Sequence, residues 1–241
     1  ALKPTDFKNL VPRLLVKEGD VVKAGTPVFA DKFSPEIIFA SPVSGVVSEV
    51  VRGEKRKLLE IRIKTDKQIE YIKYDLPKVE DLSAEKIIEA LKKSGLWVCL
   101  KQRPYGIIPN PNVEPKAIFV SGFSSVPAAP DYDYALKDEL DNIQLAINAL
   151  NKLTKGGVHM GLSRISANST PLHKLKNVYF HVFDGPHPAD NVGVQIHHIS
   201  PVNKGEVVWT VDLPLLAAIG KFFSKGIYDM ISSMLSVESE K

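Results

Sequence analysis

The sequence predicts two consecutive domains, a compact β domain followed by an α/β domain built on a small parallel sheet. About the first 75 residues consist of short apolar runs separated by turns rich in Gly, Asp and Pro. After a charged connector that contains proline, runs of strand length alternate with amphipathic runs of helix length. The 241 residues are enough for two domains of modest size.

Each apolar run of the β domain is followed by residues that favour a tight turn. The runs lie at residues 14–16, 21–22, 28–30, 36–39 and 46–47. Turns are predicted at Gly19-Asp20, at Gly25-Thr26-Pro27 and at Gly53, because these residue types adopt turn conformations at low cost. A last strand follows, in which Leu59, Ile61 and Ile63 alternate with polar residues. Two similar halves of short strands predict a flattened barrel-sandwich hybrid.

This β domain resembles the biotinyl and lipoyl carrier domains in the segments "VKEGDVVKAGTPVF" and "SPVSGVV". In carrier domains the modified lysine lies at a hairpin tip, midway between the two halves. Here Lys32 comes early, and the tip is predicted at Phe33-Ser34-Pro35. The neighbours of Lys32 match neither carrier signature. We therefore expect a carrier fold in which Lys32 is neither lipoylated nor biotinylated.

The connector "YDLPKVEDLS" divides the chain into predicted domains 1–76 and 77–235. A helix should begin after Ser83 as N-cap and end at Gly95, with Ile87, Ile88 and Leu91 buried. The segment Gly95–Pro109 is expected to be irregular.

The second domain then alternates strands and helices. Strands are predicted at 117–120, 158–162, 178–183 and 207–211, and helices at 137–153 and after Asp212. This order predicts an α/β domain with a Rossmann-like sheet, so that the chain as a whole combines a β domain with an α/β domain.

Composition and motifs exclude several function classes. The net charge is +3 and evenly spread, without a basic stripe, which argues against nucleic acid. The single cysteine, Cys99, excludes an intrachain disulfide and an iron–sulfur centre. The six histidines lack ligand spacing, so no metal site is expected. Dinucleotide, Walker and nucleophile-elbow motifs are absent. The longest apolar candidate for a membrane span, 213–220, is far short of the roughly 20 residues needed.

Two stretches are rich in Trp, Cys, Pro, Gly and His, which are less common or conformationally special residue types. They are "SGLWVCLKQRPYGIIP" at 94–109 and "FDGPHPADNVGVQIHHISP" at 183–201. Together with "SPVSGVVSEVVRGEKR" and "AIFVSGF", they make nearly the whole chain resemble the A subunits of the sodium-translocating NADH:quinone oxidoreductases, the bacterial respiratory sodium pumps. Subunits of that family are considerably longer. The resemblance implies an internal fragment that lacks the first residues and a C-terminal region with a further small β-rich domain.

The resemblance implies a peripheral subunit on the cytoplasmic face of the bacterial inner membrane, attached only through partner subunits. The pump passes electrons from NADH to quinone while exporting sodium. Flavins and iron–sulfur centres are expected on the partners, and quinone is a possible ligand of this chain. The isolated chain is not expected to be catalytically active.

The same architecture resembles the flavin-carrying subunits of complex I and of the Rnf complex, in which a Gly-rich loop approaches FMN. The corresponding loop here is Gly95–Pro109. It carries bulky side chains where small ones would be needed, namely Leu96, Trp97, Leu100, Lys101 and Arg103. We therefore expect this chain to bind neither FMN nor NADH.

The candidates for a quinone site follow the predicted strand 178–183. Asp184, Gly185 and His187 should lie beyond its carboxyl end, where ligands of open α/β sheets bind, and His197 is a further candidate. A histidine can hydrogen-bond a quinone carbonyl. Alternatively, Asp184 and His187 only brace a tight turn, and the chain is a scaffold that docks membrane partners. The family usually continues with Ala-Gly, whereas here Ala189 is followed by Asp190, whose charge could alter the loop.

Overall fold

The computed structural model describes residues 1–126, 129 and 131–230. The end of the predicted second domain, residues 231–235, lies outside these ranges. The β domain contains two three-stranded antiparallel sheets, with strand orders β1-β3-β4 and β2-β5-β6. The strands are β1 Pro12–Leu14, β2 Val21–Val22, β3 Pro27–Asp31, β4 Ile38–Ala40, β5 Gly45–Arg52 and β6 Leu58–Thr65. The predicted barrel-sandwich hybrid is confirmed.

The predicted tip Phe33-Ser34-Pro35 lies between β3 and β4, as expected. The alternation predicted for β6 is only partly correct. Leu58 and Ile61 are buried, whereas Leu59 is only half-buried. The cause is a register shift of the β5–β6 ladder at Val51, which moves the inward positions of β6.

Helix α1, Ala84–Ser94, has the predicted ends. The hydroxyl of Ser83 accepts a hydrogen bond from the Lys86 amide at 3.4 Å. Gly95 ends the helix in the left-handed conformation, with φ of 81°. Such caps pair amide and carbonyl groups that the helix leaves free. Ile87 and Leu91 are buried, while Ile88 is half-buried.

The expectation of an irregular segment at Gly95–Pro109 is wrong for its first half. Leu96–Cys99 forms a 3-10 helix, and Lys101–Arg103 forms strand β7. Leu96, Trp97 and Leu100 are fully buried, and the Trp97 indole donates a hydrogen bond to the Pro109 carbonyl at 2.9 Å. The apolar side chains therefore fold this segment into the core.

The second domain has a five-stranded sheet in the order β10-β9-β8-β11-β7. The strands after β7 are β8 Ile118–Ser121, β9 Val158–Ser163, β10 Tyr179–Phe183 and β11 Val208–Thr210. These four are parallel, and β7 adds an antiparallel edge strand. The α/β prediction is confirmed, but the short polar strand β7 was not predicted.

Helices cover the two faces of this sheet unequally. One face packs on α3 Leu140–Asn151 and α5 Leu213–Lys225, whereas the other carries α4 Val192–Ile199. A single turn, α2 Tyr132–Ala135, precedes α3. Neither α2 nor α4 was predicted from the sequence.

One hydrophobic core runs through both domains, from Phe39 of β4 to Trp97 and on to Phe222 of α5. Lys152 holds the connector in place. Its ammonium donates hydrogen bonds to the backbone carbonyls of Val79, Glu80 and Leu82 in the connector, at 2.7–2.8 Å. The boundaries 1–76 and 77–235 remain a prediction.

Among the described residues, no helix is both long and apolar enough to span a bilayer.

Candidate functional site

A polar crevice lies beyond the carboxyl ends of β8 and β9. Its volume is about 560 Å³. Hydroxyls and carboxylates dominate its lining, including Ser124, Asp131, Asp133, Ser163, Ser166 and Ser169. Two apolar side chains at the crevice, Val126 and Ile165, are exposed, Ile165 to 96%. Crevices of this kind, at the carboxyl ends of parallel strands, are the usual ligand sites of open α/β sheets.

The candidate loop leaves the sheet where the sequence predicted, directly after β10. Asp184 pairs with Arg164 at 3.3 Å, and both side chains are exposed, so this ion pair contributes little stability. Gly185 has φ of 147°, a backbone conformation that other residues rarely adopt. Nothing lies within 4 Å of the position a Cβ would take there, so the glycine serves the turn and leaves one side of the loop open.

His187 is held by groups from two loops. Its Nδ1 lies 3.1 Å from the Ser125 hydroxyl and 3.4 Å from a carboxylate oxygen of Asp190. The His187 side chain is 52% exposed, whereas that of Asp190 is 15% exposed. The ring is therefore fixed on one side and open to solvent on the other.

Asp190 is the centre of this cluster. Its carboxylate accepts hydrogen bonds from Ser125 at 2.6 Å and from Ser124 at 3.1 Å. Burial raises the pKa of the Asp190 carboxyl, but the serine hydrogen bonds and the nearby His187 outweigh burial and hold the pKa below its ordinary value. Asp190 is thus a carboxylate at neutral pH. The Asp190 carboxylate therefore joins the loop after β10 to the segment that contains Ser124 and Ser125.

Helix α4 anchors the other end of the loop. The buried amide of Gln195 donates hydrogen bonds to the Ala189 carbonyl at 3.2 Å and to Ser121 at 3.1 Å. Gly161 of β9 makes room for this side chain, because a Cβ there would lie 2.3 Å from the Gln195 oxygen. The loop is consequently tied to both β8 and α4.

His197 does not join this cluster. It lies in the last turn of α4, about 9 Å further along the axis than the N-cap Asn191, and its ring is exposed beside that of His198. Sequence neighbours on an extended chain would point to opposite faces, but here both rings share the helix end. Of the four candidates, only Asp184, Gly185 and His187 lie together.

Two further observations concern Lys32, the possible attachment point of a cofactor, and the possible sites of a metal ion. Lys32 is exposed after β3, with its ammonium 6.0 Å from the centre of the Phe33 ring. Within the described ranges, no group of three or more His, Cys, Asp and Glu side chains could hold a metal ion.

Sequence reasoning missed Ser124, Ser125 and Gln195 as parts of the site. The serines stand more than 60 residues before Asp190, and "GFSS" follows strand β8 as "DG" follows β10. The available signal was that both segments come directly after parallel strands, because the carboxyl ends of parallel strands meet at one edge of the sheet.

Comparison with known proteins agrees with this architecture. A family model described as the NqrA second alpha/beta domain matches residues 82–228, more than half of the chain. A second model, the NqrA N-terminal barrel-sandwich hybrid domain, matches residues 1–66.

Curated relatives extend over both domains. They are the A subunits of Na(+)-translocating NADH-quinone reductases from three bacteria. The chain is 35% identical to that of Neisseria meningitidis, 36% to that of Yersinia pseudotuberculosis and 35% to that of Pseudomonas aeruginosa, each over 228 residues. Each alignment covers 94% of this chain but only 50–51% of the relative. The chain thus spans about half the length of the curated relatives it matches. On these matches, the chain belongs to the NqrA family of Na(+)-translocating NADH-quinone reductases.

Proposed function

We propose that this chain acts as the NqrA component of a sodium-translocating NADH:quinone reductase, where it contributes to quinone binding or gating. The relatives that carry this name align with it over both domains. In this role it would sit at the cytoplasmic face of the bacterial inner membrane, held by the other subunits of the complex.

The observation that carries the quinone proposal is the position of His187. Its ring is fixed by Ser125 and Asp190, its outer side faces solvent, and it follows β10 at the edge of the sheet where the crevice lies. A quinone has a polar head whose carbonyls accept hydrogen bonds, and a ring and tail that favour apolar contact. The hydroxyl-lined crevice suits the head, and the exposed Val126 and Ile165 offer apolar contact at the rim.

Within that site, the residues of this chain would bind and orient the ligand. His187 exchanges a hydrogen bond with the head group, and Ser125 and Asp190 hold its ring in place. Gln195 holds the loop in place through the Ala189 carbonyl. Electron transfer would depend on the flavins and iron–sulfur centres of partner subunits.

We also propose that this chain holds no flavin of its own. Where the Gly-rich loop of flavin-carrying relatives would approach the cofactor, the side chains of Leu96, Trp97 and Leu100 fill the core. Replacing such packed side chains by an FMN pocket would require the 3-10 helix Leu96–Cys99 to unfold.

A scaffold without a ligand is the second candidate function. It is favoured by the hydrogen bonds of Asp190 with two serines, which brace the loop without any ligand. Exposed apolar side chains on the β domain, Val21 at 77% and Phe33 at 75%, would then serve docking.

Quinone turnover by the assembled complex separates these two functions. His187→Ala in the full-length protein should leave assembly intact and slow quinone reduction, while the control His197→Ala, at an exposed histidine outside the cluster, should leave the rate unchanged. If the assembled His187→Ala complex reduces quinone with wild-type rate and affinity, the scaffold function is the correct one.

A further inference from the structure

The hydrogen positions around Ser125 can be deduced from its contacts. The oxygen of Ser125 lies 2.6 Å from an oxygen of Asp190, a separation that requires a proton between them. Asp190 is ionised at neutral pH, since its pKa lies below the ordinary value. The proton is therefore the single hydroxyl hydrogen of Ser125, donated to Asp190.

The position of this proton determines which ring nitrogen of neutral His187 is protonated. Because Ser125 has no second hydrogen, its 3.1 Å contact with Nδ1 of His187 is a hydrogen bond only if Nδ1 carries the proton and donates it to the serine oxygen. The same nitrogen lies 3.4 Å from a carboxylate oxygen of Asp190, which can only accept. Neutral His187 is thus held as the Nδ1–H tautomer.

The outward nitrogen, Nε2, then presents a lone pair. We propose that Ser125 and Asp190 are positioning residues that fix this tautomer, so that the site prefers a quinol, whose hydroxyl donates a hydrogen bond to Nε2, over a quinone, whose carbonyl only accepts. This preference rests on the proposed function, whereas the tautomer does not. Through Ser125 and His187, Asp190 would thereby select the redox state of the ligand.

Nitrogen NMR of the histidine rings tests the positioning role without any ligand. In the ¹⁵N-labelled 241-residue chain at a pH where His187 is neutral, Nδ1 should have the shift of a protonated nitrogen and Nε2 that of an unprotonated one. Ser125→Ala and Asp190→Asn should both move the ring toward the Nε2–H form that histidine favours in water. Ser125→Thr keeps the hydroxyl and should keep the wild-type tautomer. A wild-type ring in the Nε2–H form would overturn the proposal.

Anaerobic titration with a water-soluble quinone and with its quinol tests the ligand preference. The quinol should bind the wild-type chain about fivefold more tightly than the quinone, the effect of one neutral hydrogen bond, and Ser125→Ala should abolish the difference. Equal affinities in the wild type would overturn the preference. If neither form binds while the tautomer is as stated, the proposed function and the ligand preference both fail, and the positioning of His187 by Ser125 and Asp190 stands.

Discussion

His181 Nε2 lies 2.9 Å from Nδ1 of His159, which belongs to the neighbouring strand. The other nitrogen of His159 lies 3.1 Å from the Gly156 carbonyl, which can only accept, so His159 carries its proton there. His181 must then donate to Nδ1 of His159. Both rings are neutral in this arrangement, and they stack on one another with His159 also stacked on Phe119.

This pair should make stability fall in mild acid. Burial lowers the pKa of His159, against a smaller opposing effect of the Gly156 carbonyl, and burial and then His159 lower the pKa of His181. Depressed histidine pKa values leave stability fully present above about pH 6.5, and stability is lost as the pH falls below that value because the unfolded chain binds the protons first. Urea unfolding between pH 7.5 and 5.5 measures the loss.

His181→Phe is the informative variant for this pair, since it keeps an aromatic ring beside His159 and removes one titrating group. It should lose less stability over that pH interval than the wild type. His198→Phe removes an exposed histidine outside the pair and serves as control. An equal pH dependence in His181→Phe and wild type would show that the pair does not act as described.

Cys99 should be inert in the folded chain. It is 4% exposed, and burial, followed by the charge of Asp212, raises the pKa of its thiol to about 12. Because the thiolate is the reactive form, a thiol reagent at pH 8 should modify native protein far more slowly than protein in urea. Rapid stoichiometric labelling without denaturant would contradict the burial of this side chain.

Lys221 should be essential to the packing of α5. It is 5% exposed, and its ammonium lies 3.1 Å from Glu139 and 3.3 Å from Asp229. Burial lowers the pKa of Lys221, but these two carboxylates outweigh burial and raise the pKa above its ordinary value. Its contribution is therefore fully present at neutral pH and is lost only as the pH rises through that raised value.

Replacing Lys221 by Met would leave two carboxylates near a buried site without this cation, at an expected cost of about 3–5 kcal/mol in the free energy of unfolding. Lys225→Met, at the exposed end of the same helix, should change it by less than about 1 kcal/mol. Urea unfolding at pH 7 compares the two, and similar values would refute a stabilising role for the buried ions.

Gly220 permits close contact between α5 and α3. A Cβ at this position would lie 1.7 Å from the Asn142 carbonyl oxygen, so one of the helices must shift. Gly220→Ala should therefore destabilise the chain by about 1–3 kcal/mol, although alanine is the better helix former by about 1 kcal/mol. Gly193→Ala in α4 is the control, because its nearest neighbour is a side-chain oxygen at 3.1 Å. Equal melting temperatures for the two variants would contradict the close approach.

The parts of the fold that were predictable from sequence are those with local signals. Turns at Gly19 and Gly25 bounded the strands of the β domain, and the caps Ser83 and Gly95 set the ends of α1. Strand β7 was missed because "KQR" has no apolar period, and it forms only because Val208–Thr210 of β11 offers it an edge. Helix α4 is eight residues long and contains a glycine, so its helical signal was weak.

The candidate site was predictable only in its location. The strand before Asp184 placed the loop at the carboxyl edge of the sheet. The partners of His187 came from tertiary structure, since Ser125 is 62 residues away along the chain. The sequence indicated Asp190 only as a charge that could alter the loop. Its two serine donors are distant along the chain, so the sequence did not show that they contact it.

Titration of the ¹⁵N-labelled chain with a short-chain quinone, followed by amide NMR, tests the quinone proposal most directly. We predict saturable shifts at residues 184–191, at the Ser124-Ser125 segment that contacts them and at the crevice residues Val126, Ser163 and Ile165. These shifts should be lost in His187→Ala and retained in His197→Ala. A chain whose spectrum does not change with quinone, or whose saturable shifts map away from this loop, would contradict the proposed site.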